Sequence, residues 1–336
     1  MPISLITGGA GFMGSHVAEH LLSLGHEVVV LDDLSGGFVE NVPKGATFVE
    51  GSILNEELIE YVFRKYNFRY VYHVAAYAAE GLSHFIRRFN YRNNLIGSVN
   101  LINAAVNYDV KCFVFTSSIA VYGAGQSPMA EEMTPIPEDP YGIAKLAVEQ
   151  DLKASHEMFG LDYIIFRPHN VYGERQNIGD RYRNVVGIFM NQLLRGEPMS
   201  IFGDGNQMRA FTHVNDVAPI IAASVDFPSA RNEVFNVGAD EPYKVNDLAQ
   251  IVAATMRKED RRIYLEARKE VKIAFSDHRR VEEVFGKREK TSLAVGIRSM
   301  ANWVQKHSAR ESSVFEEIEV TKNMPPSWTE VARIET

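Results

Sequence analysis

What the chain lacks narrows the reading first. It has one cysteine, Cys112, in 336 residues, so no disulfide can form within it, and the apolar run Cys112-Phe113-Val114-Phe115 reads as a buried strand carrying a small thiol. A reducing, cytoplasmic setting is the expectation. No stretch approaches the roughly 20 apolar residues of a membrane span, and the N-terminus enters a strand at once, without the basic and hydrophobic segments of a secretory signal. Basic charge is in the minority: 35 Lys and Arg against 43 Asp and Glu leave a formal net charge of −8, with no basic stripe dense enough to track phosphates. Both observations argue against membrane and nucleic acid as partners. Repeats and low-complexity runs are missing too. With 46% hydrophobic and 23% charged residues, the composition is that of a globular protein with a sizeable core, and the length favours two unequal domains.

What is present begins at residue 3. Ile3-Ser4-Leu5-Ile6-Thr7-Gly8-Gly9-Ala10-Gly11-Phe12-Met13-Gly14 is an apolar run that breaks into glycines and turns helical from Phe12 to Leu24. The spacing G-x-x-G-x-x-G reads as strand, phosphate loop and helix N-terminus. Gly8 serves the tight turn, Gly11 lets backbone approach a pyrophosphate, Gly14 allows close helix packing, and Phe12 and Met13 open the helix over the anion. A second strand, Glu27 to Leu31, ends in Asp32-Asp33, where an acid can accept hydrogen bonds from a ribose hydroxyl pair. Two acids here, and no arginine in Ser35-Gly36-Gly37, favour NAD over NADP. A merely structural glycine turn is the alternative.

Along the chain, strands and helices alternate. A third strand, Ala46 to Ser52, places Ser52 and Ile53 beside an expected adenine. A helix from Asn55 to Tyr66 leads to a fourth strand, Tyr70 to Ala76, whose Ala75 and Ala76, followed by Tyr77, either admit a cofactor or simply pack well. A long helical pattern from Phe85 to Tyr108 carries Asn93-Asn94. Then come strand Lys111 to Ser118, helix Tyr141 to Phe159 and strand Asp162 to Phe166. This order predicts an α/β fold: a doubly wound, Rossmann-like parallel sheet with its ligand crevice at the strands' C-terminal ends. The expected dinucleotide-binding domain covers residues 1–169, with 214–240 returning to it through Val234 to Gly238. A smaller, mixed α/β substrate domain is expected from 170–213 and 241–310, including helices Val185 to Arg195, Val245 to Met256 and Asp277 to Phe285, and a hairpin turning at Gly203-Asp204-Gly205. Residues 311–336 read as a polar, loosely held tail.

The chemistry is carried by three side chains. Strand five ends in Ser118, and Tyr141 and Lys145 stand one turn apart on the same face of the helix that follows. A free phenol titrates near ~10, so holding a phenolate near neutral pH takes about 4 kcal/mol of favourable electrostatics, which the Lys145 ammonium and an oxidised nicotinamide can supply together. Ser118 completes an acid/base relay. Two decoys compete. Tyr61-x-x-x-Lys65 repeats the pair without a serine-ended strand before it, and His16-x-x-Glu19-His20 spells an inverted zinc-protease pattern on the very helix whose start should hold the pyrophosphate. Both are assigned to ordinary helix faces, and no metal is expected.

Several motifs now fall in one order: Thr7-Gly8-Gly9-Ala10-Gly11-Phe12-Met13-Gly14, His73-Val74-Ala75-Ala76, Ser117-Ser118-Ile119-Ala120-Val121-Tyr122-Gly123, Tyr141-Gly142-Ile143-Ala144-Lys145, Arg167-Pro168-His169-Asn170-Val171-Tyr172-Gly173 and Ile201-Phe202-Gly203-Asp204-Gly205. Together they resemble the extended short-chain dehydrogenase/reductase superfamily, in its nucleotide-sugar epimerase/dehydratase group, and most closely the UDP-glucose/UDP-galactose 4-epimerase-like members. The resemblance runs from Ile3 to about Val304. It implies NAD as cofactor, with Asn94 and His169 joining the contacts above. It also implies a UDP-sugar substrate whose diphosphate meets Asn170, Arg209 and Arg268 and whose nucleotide lies against Asn184, Val185 and Phe202.

Departures from the group's pattern are equally specific. Ser52 stands where an aspartate is usual, Tyr77 to Ser83 is not the usual segment over the sugar, and Arg268-Lys269-Glu270-Val271 replaces Arg-x-Gly-Asp. Ile119-Ala120 occupies the position of the acidic pair in dehydratases, and Ala120 that of a glutamate in decarboxylating members. Epimerisation at C4 is therefore the expected reaction. A dehydratase or oxidoreductase using Glu80 as an extra acid is the alternative within enzymes. A non-catalytic dinucleotide-binding module is the alternative outside them, and the intact Ser118, Tyr141 and Lys145 argue against it. The resemblance further implies a homodimer through a four-helix bundle of the helices at 85–108 and 141–159, with Leu101, Ala105, Leu146 and Leu152 either at that interface or facing the core. It also puts Ala274 at or beside a position that gates N-acetylated sugars.

Overall fold

The computed structural model describes residues 1–124, 127–268, 271–311 and 315–329. Its main sheet has seven parallel strands, β1 (Ile3–Thr7), β2 (Glu27–Asp32), β3 (Thr47–Glu50), β4 (Tyr70–His73), β5 (Cys112–Thr116), β6 (Tyr163–Pro168) and β7 (Glu233–Val237), in the order β7-β6-β5-β4-β1-β2-β3. The direction of winding reverses at β1, so the C-terminal ends of β1 and β4 flank the switch point where such sheets open a crevice. Neither sheet face is solvated. Leu5, Val29, Leu31, Val71, Phe113 and Phe115 enter one core with helices α2 (Glu56–Tyr66), α3 (Gly97–Asn107) and α4 (Pro140–Phe159). Ile6, Val28, Val30, Tyr72, Val114 and Phe166 enter the other with α1 (Phe12–Ser23) and α6 (Ala218–Ala223). Near-continuous apolar strands are what a parallel sheet covered on both sides requires. Cys112 lies in this interior, where burial pushes its thiol up to about 12.

A third core, built on α5 (Val185–Leu194), α7 (Val245–Met256) and α8 (Leu293–His307), carries short strands that overhang the crevice. The expected hairpin at Gly203-Asp204-Gly205 is not there. Gly203 and Gly205 do turn the chain, at φ +72° and +74°, but the flanking strands find other partners. Met199–Phe202 pairs parallel with Arg262–Leu265, while Met208–Ala210 pairs with Pro242–Lys244 and Ile273–Ala274. The long helical pattern from Phe85 to Tyr108 is also interrupted, by a short helix at Arg87–Tyr91 and a π turn at Arg92–Ile96 before α3.

The expected loose tail is corrected for residues 315–329, while 312–314 and 330–336 lie outside the described residues. Phe315, Ile318, Met324 and Trp328 pack with Leu82, Ile86 and Tyr182. Four apolar side chains scattered through a polar stretch do not look like a core until the surface they cover is known. Leu101, Ala105 and Leu152 prove to be core-facing, fully buried within the one chain, and Leu146 packs partly buried against Val121, Tyr122, Met129 and Ala274. Among the described residues no helix is long and apolar enough to cross a membrane.

Candidate active site

The crevice is one cleft of about 500 Å³ with two ends. At the first, Gly8 has φ +72°, and a Cβ there would lie 2.7 Å from the backbone of Ala75. A Cβ on Gly14 would lie 2.1 Å from the Gly8 carbonyl oxygen. Helix α1 therefore starts pressed against the loop, with Gly11 as its N-cap and no side-chain cap on its first N–H groups. Asp32 accepts from the amides of Ala10 (3.0 Å) and Leu34 (2.8 Å), and burial pushes its carboxyl up. Asp33 is exposed and accepts from the amide and hydroxyl of Ser35. Phe12, Met13, Gly36, Ile53, Ala75 and Ala76 complete this end, and Tyr77, next in the chain, lines the cleft between this end and the segment that follows. Uncapped helix amides, a β-strand acid and glycines that no Cβ could replace fit a dinucleotide's pyrophosphate and ribose. Ser52 is different from expectation: Gly51 and Ile53 line the cleft, while the Ser52 Oγ accepts from the Leu54 amide at 3.2 Å. The hydroxyl closes its own turn, and Ser52 is not among the residues lining the cleft.

The middle of the cleft holds the relay. Asp139 caps α4 by accepting from the Gly142 amide at 2.9 Å, with Pro140 at the first helical position, where its missing N–H costs nothing. That start aims Tyr141 and, a turn later, Lys145 at the end of β5. The Lys145 ammonium donates to the Thr116 carbonyl at 2.8 Å and lies 5.8 Å from the centre of the Tyr141 ring. The Ser118 hydroxyl accepts from the Ala120 amide at 3.1 Å and stands close enough to Tyr141 to favour its ionised form. Burial pushes the Tyr141 phenol well above its usual range, and burial also drives Lys145 down to about 7, against the pull of Glu149. Glu149 and Arg167, both nearly inaccessible, form a two-pronged ion pair behind the lysine at 2.9 and 2.5 Å, and Ser117 donates to the same carboxylate. Sequence reasoning missed this pair. The signal was available, since Glu149 continues the Tyr141 and Lys145 face at the next helical turn.

At the far end stand Glu80, Asn170, Asn184, Val185, Phe202, Arg209 and Arg268, and His169 lines the cleft as well. Asn170 and Asn184 adopt φ of +41° and +63°, and the Asn170 side-chain Nδ2 donates to the Ala210 carbonyl at 3.2 Å. The Arg268 guanidinium covers the Phe202 ring at 4.5 Å. Asn94 is a correction: it is buried behind the wall, accepting from the Tyr77 amide (2.8 Å) and donating to the Tyr77 carbonyl (3.1 Å), while Asn93 lines the cleft. The π turn sets which of the two faces in. Other lining residues without a sequence signal include His84, Gln176 and Arg183, the last ion-paired to Asp180 and stacked 4.5 Å over Tyr77.

His169 belongs to a buried pair. Its Nδ1 faces the Ala210 carbonyl (3.1 Å), its Nε2 meets Nε2 of His278 (3.1 Å), and Nδ1 of His278 meets the Asp240 carboxylate (2.6 Å). Burial drives the His169 imidazole down to about 3, so it is neutral near physiological pH.

The decoys resolve into ordinary contacts. His16 bonds the Glu174 carbonyl at 3.0 Å and Glu19 pairs with Arg175 at 2.7 Å. Lys65 lies over the rings of Tyr61 and Tyr66 on an exposed helix face.

Known proteins share this chain's sequence and fold over most of its length. A putative UDP-glucose 4-epimerase of Methanocaldococcus jannaschii is 33% identical over 318 residues, 90% of this chain and 99% of that one. The crystal structure of a Thermotoga maritima UDP-glucose 4-epimerase with UDP-glucose superposes with a TM-score of 0.86 at 36% identity, covering 91% of this chain and 99% of that one. A UDP-N-acetylglucosamine 4-epimerase of Methanobrevibacter ruminantium, in complex with UDP-N-acetylmuramic acid, gives 0.84 at 29% identity over 91% and 99%. Residues 4–238, which hold the glycine cradle, the relay and β7, match one family description as a continuous block, and the chain belongs to the NAD dependent epimerase/dehydratase family.

Proposed function

We propose that this protein interconverts the C4 epimers of a UDP-sugar, with Tyr141 as the proton acceptor. The observation that carries the reading is the placing of Ser118, Tyr141 and Lys145 between a dinucleotide cradle and an arginine-bearing pocket within one cleft. Bound NAD supplies the hydride acceptor and, in its reduced form, the donor. The protein's own part is protonic and steric. The Tyr141 oxygen takes the proton of the sugar's 4-hydroxyl as that carbon is oxidised, and Ser118 shares the proton along the relay. A 4-keto sugar then turns over in the pocket, and Tyr141 returns the proton to the oxygen once the other face has been reduced. Because burial alone pushes the phenol up, the base form depends on positive charge beside it. Lys145 provides one such charge, and the Glu149 carboxylate behind it favours the charged ammonium.

Ile119 and Ala120, which line the cleft near Ser118, offer no carboxyl for eliminating water, and this favours epimerisation over dehydration. Glu80, at the sugar end, keeps a dehydratase or net oxidoreductase as the second reading. Release of one NADH per sugar would support net oxidation, and a 4-keto-6-deoxy product formed with loss of water would support dehydration, whereas an epimerase returns a sugar of unchanged composition with its cofactor regenerated. Arg209, Arg268, Asn170 and Phe202 are assigned to the UDP moiety. Incubation with UDP-glucose, UDP-galactose and their N-acetyl and uronate relatives tests the proposal. Exchange at C4 in at least one pair is expected, and none in any pair would overturn it. NAD should bind more tightly than NADP, since Asp32 and Asp33 meet a 2′-phosphate with like charge. A homodimer through α3 and α4 belongs to the same proposal, with exposed Ile96 and Ile143 in place of the buried leucines, and a micromolar monomer by light scattering would refute it.

A further inference from the structure

Two departures of this chain meet each other in space. One is the unusual segment at residues 77–83, with the turn that follows it. The other is the C-terminal segment, which lies beyond the resemblance ending near Val304. The family match covers residues 4–238, so the 77–83 segment departs from the group's pattern inside the shared fold, whereas the C-terminal segment lies beyond that match.

Their contacts are specific. The Phe315 ring packs against Tyr77 (5.3 Å between centroids) and Phe89 (4.8 Å), and its amide donates to the Tyr182 hydroxyl. The Glu319 carboxylate accepts from the amides of Arg88 (2.8 Å) and Phe89 (2.9 Å), the first N–H groups of the short helix Arg87–Tyr91, which has no side-chain cap of its own. The Glu319 amide in turn donates to the Phe85 carbonyl at 2.8 Å. Trp328 is 5% exposed and stands edge-on to Tyr182, Phe85 and Phe202. A Cβ built on Gly81 would meet the Trp328 ring at 3.5 Å and the Arg268 guanidinium at 3.7 Å. Tyr77, Gly81, Phe89, Tyr182, Phe202 and Arg268 all line the cleft on their other side.

We propose that residues 315–329 are the outer half of the wall around the UDP-sugar, with Phe315, Glu319 and Trp328 as positioning residues that hold the 77–89 segment and Phe202 in their binding arrangement. The proposal rests on the UDP-sugar reading above. Nothing in it touches the relay, so the segment acts on substrate affinity and selectivity and leaves proton transfer alone. The glycine cradle is at the other end of the cleft, and NAD retention is independent of it.

The test compares the full chain with a version ending after Glu311 and with Trp328→Ala, Trp328→Phe and Glu319→Ala. Each is assayed for KM and kcat with UDP-glucose, for UDP affinity by calorimetry and for bound NAD. Shortening is expected to raise KM and the UDP dissociation constant about tenfold or more, with kcat changed less than about threefold and NAD content unchanged. Trp328→Ala and Glu319→Ala should give part of that effect, and Trp328→Phe should restore most of it. Unchanged KM and UDP affinity in the shortened protein would overturn the proposal. If the full chain binds UDP yet turns over no UDP-sugar, the assigned reaction fails, and the UDP affinities still decide the wall. The chain has two tryptophans, so Trp303→Phe leaves Trp328 as sole reporter even if the shortened chain does not fold. Blue-shifted emission that is protected from acrylamide and responds to UDP supports the proposal. Exposed emission without a UDP response refutes it.

Discussion

The two ends of the cleft are built in opposite ways. The cofactor end is made of backbone: three glycines and a helix start contributed by one short stretch, fixed because a Cβ at Gly8 or Gly14 would overlap main-chain atoms. The sugar end is made of side chains brought from at least five stretches of chain, including Glu80 to Phe89, Asn170, Asn184, Phe202 with Arg209, and Arg268, Val271 and Ala274. Its glycine at residue 81 has ordinary clearance. A backbone cradle tolerates no addition, whereas a wall of side chains can be re-cut without touching the chemistry. That difference explains how one scaffold can keep its cofactor and still diverge in the sugar it takes.

The sharpest way to break the comparison is a pair of equal substitutions. Gly14→Ala puts a methyl 2.1 Å from the Gly8 oxygen, and the purified protein should carry no NAD and show no activity. Gly81→Ala meets its neighbours at 3.5 Å or more, and NAD content should be unchanged. Retained NAD in Gly14→Ala, measured by absorbance after denaturation, would show that the cradle is not rigid. Next in size is the middle of the cleft. Tyr141→Phe removes the proton acceptor and nothing else, so kcat should fall about 10²–10⁴-fold while both UDP and NAD still bind. A smaller loss would place the base elsewhere.

A third prediction concerns pH and uses Lys145, whose ammonium burial drives down to about 7 in the cofactor-free protein. Between that value and the ordinary value near ~10.4 the unfolded chain holds a proton that the folded chain lacks, so this group makes stability rise with pH through the window. Below pH 7 the burial penalty is fully present. Lys145→Met should remove a slope of at most about 1.4 kcal/mol per pH unit. The comparison is between urea midpoints at pH 7 and 9 for cofactor-free protein and variant. An identical pH dependence in the two would mean that the lysine keeps its charge when buried.

Legibility from sequence follows the same division. The glycine loop, the strand-end acids and the Tyr141 and Lys145 spacing are local, and each was readable because the requirement and the residues that meet it lie within a few positions. Asn93 and Asn94 were readable only as a pair, since a π turn decides which one faces the cleft. The false hairpin at Gly203 to Gly205 had correct turn residues, but its strands were claimed by partners more than thirty residues downstream. Leu101, Ala105 and Leu152 were left open between an interface and the core, because helix periodicity reports an apolar face without saying what covers it. The C-terminal segment failed for the same reason in reverse: its apolar residues follow no period because they fit an irregular surface.

The smallest effect tests how finely the sugar end is tuned. Ala274 lines the cleft, 7% exposed, and packs with Val121, Tyr122 and Met129. A residue this small leaves the space that an aromatic would fill, so UDP-N-acetylhexosamines should be accepted beside the plain hexoses. The alternative is that neighbouring Phe275 or Phe189 closes that space, but neither is among the residues that line the cleft. Discrimination by bulk in an apolar pocket is worth only about 1–3 kcal/mol, so Ala274→Tyr should change the ratio of kcat/KM for UDP-glucose over UDP-N-acetylglucosamine about tenfold or more in favour of glucose. The buried setting is itself a risk, because a phenol ring forced against Met129 could move the strand Ile273–Ala274 and the Met208–Ala210 strand paired with it, and with it Arg209. The two cases separate cleanly. A gate changes the ratio and spares UDP affinity, whereas a displaced strand weakens UDP and both sugars alike, and an unchanged ratio with unchanged UDP affinity would move the gate to the Tyr77 to Phe89 wall.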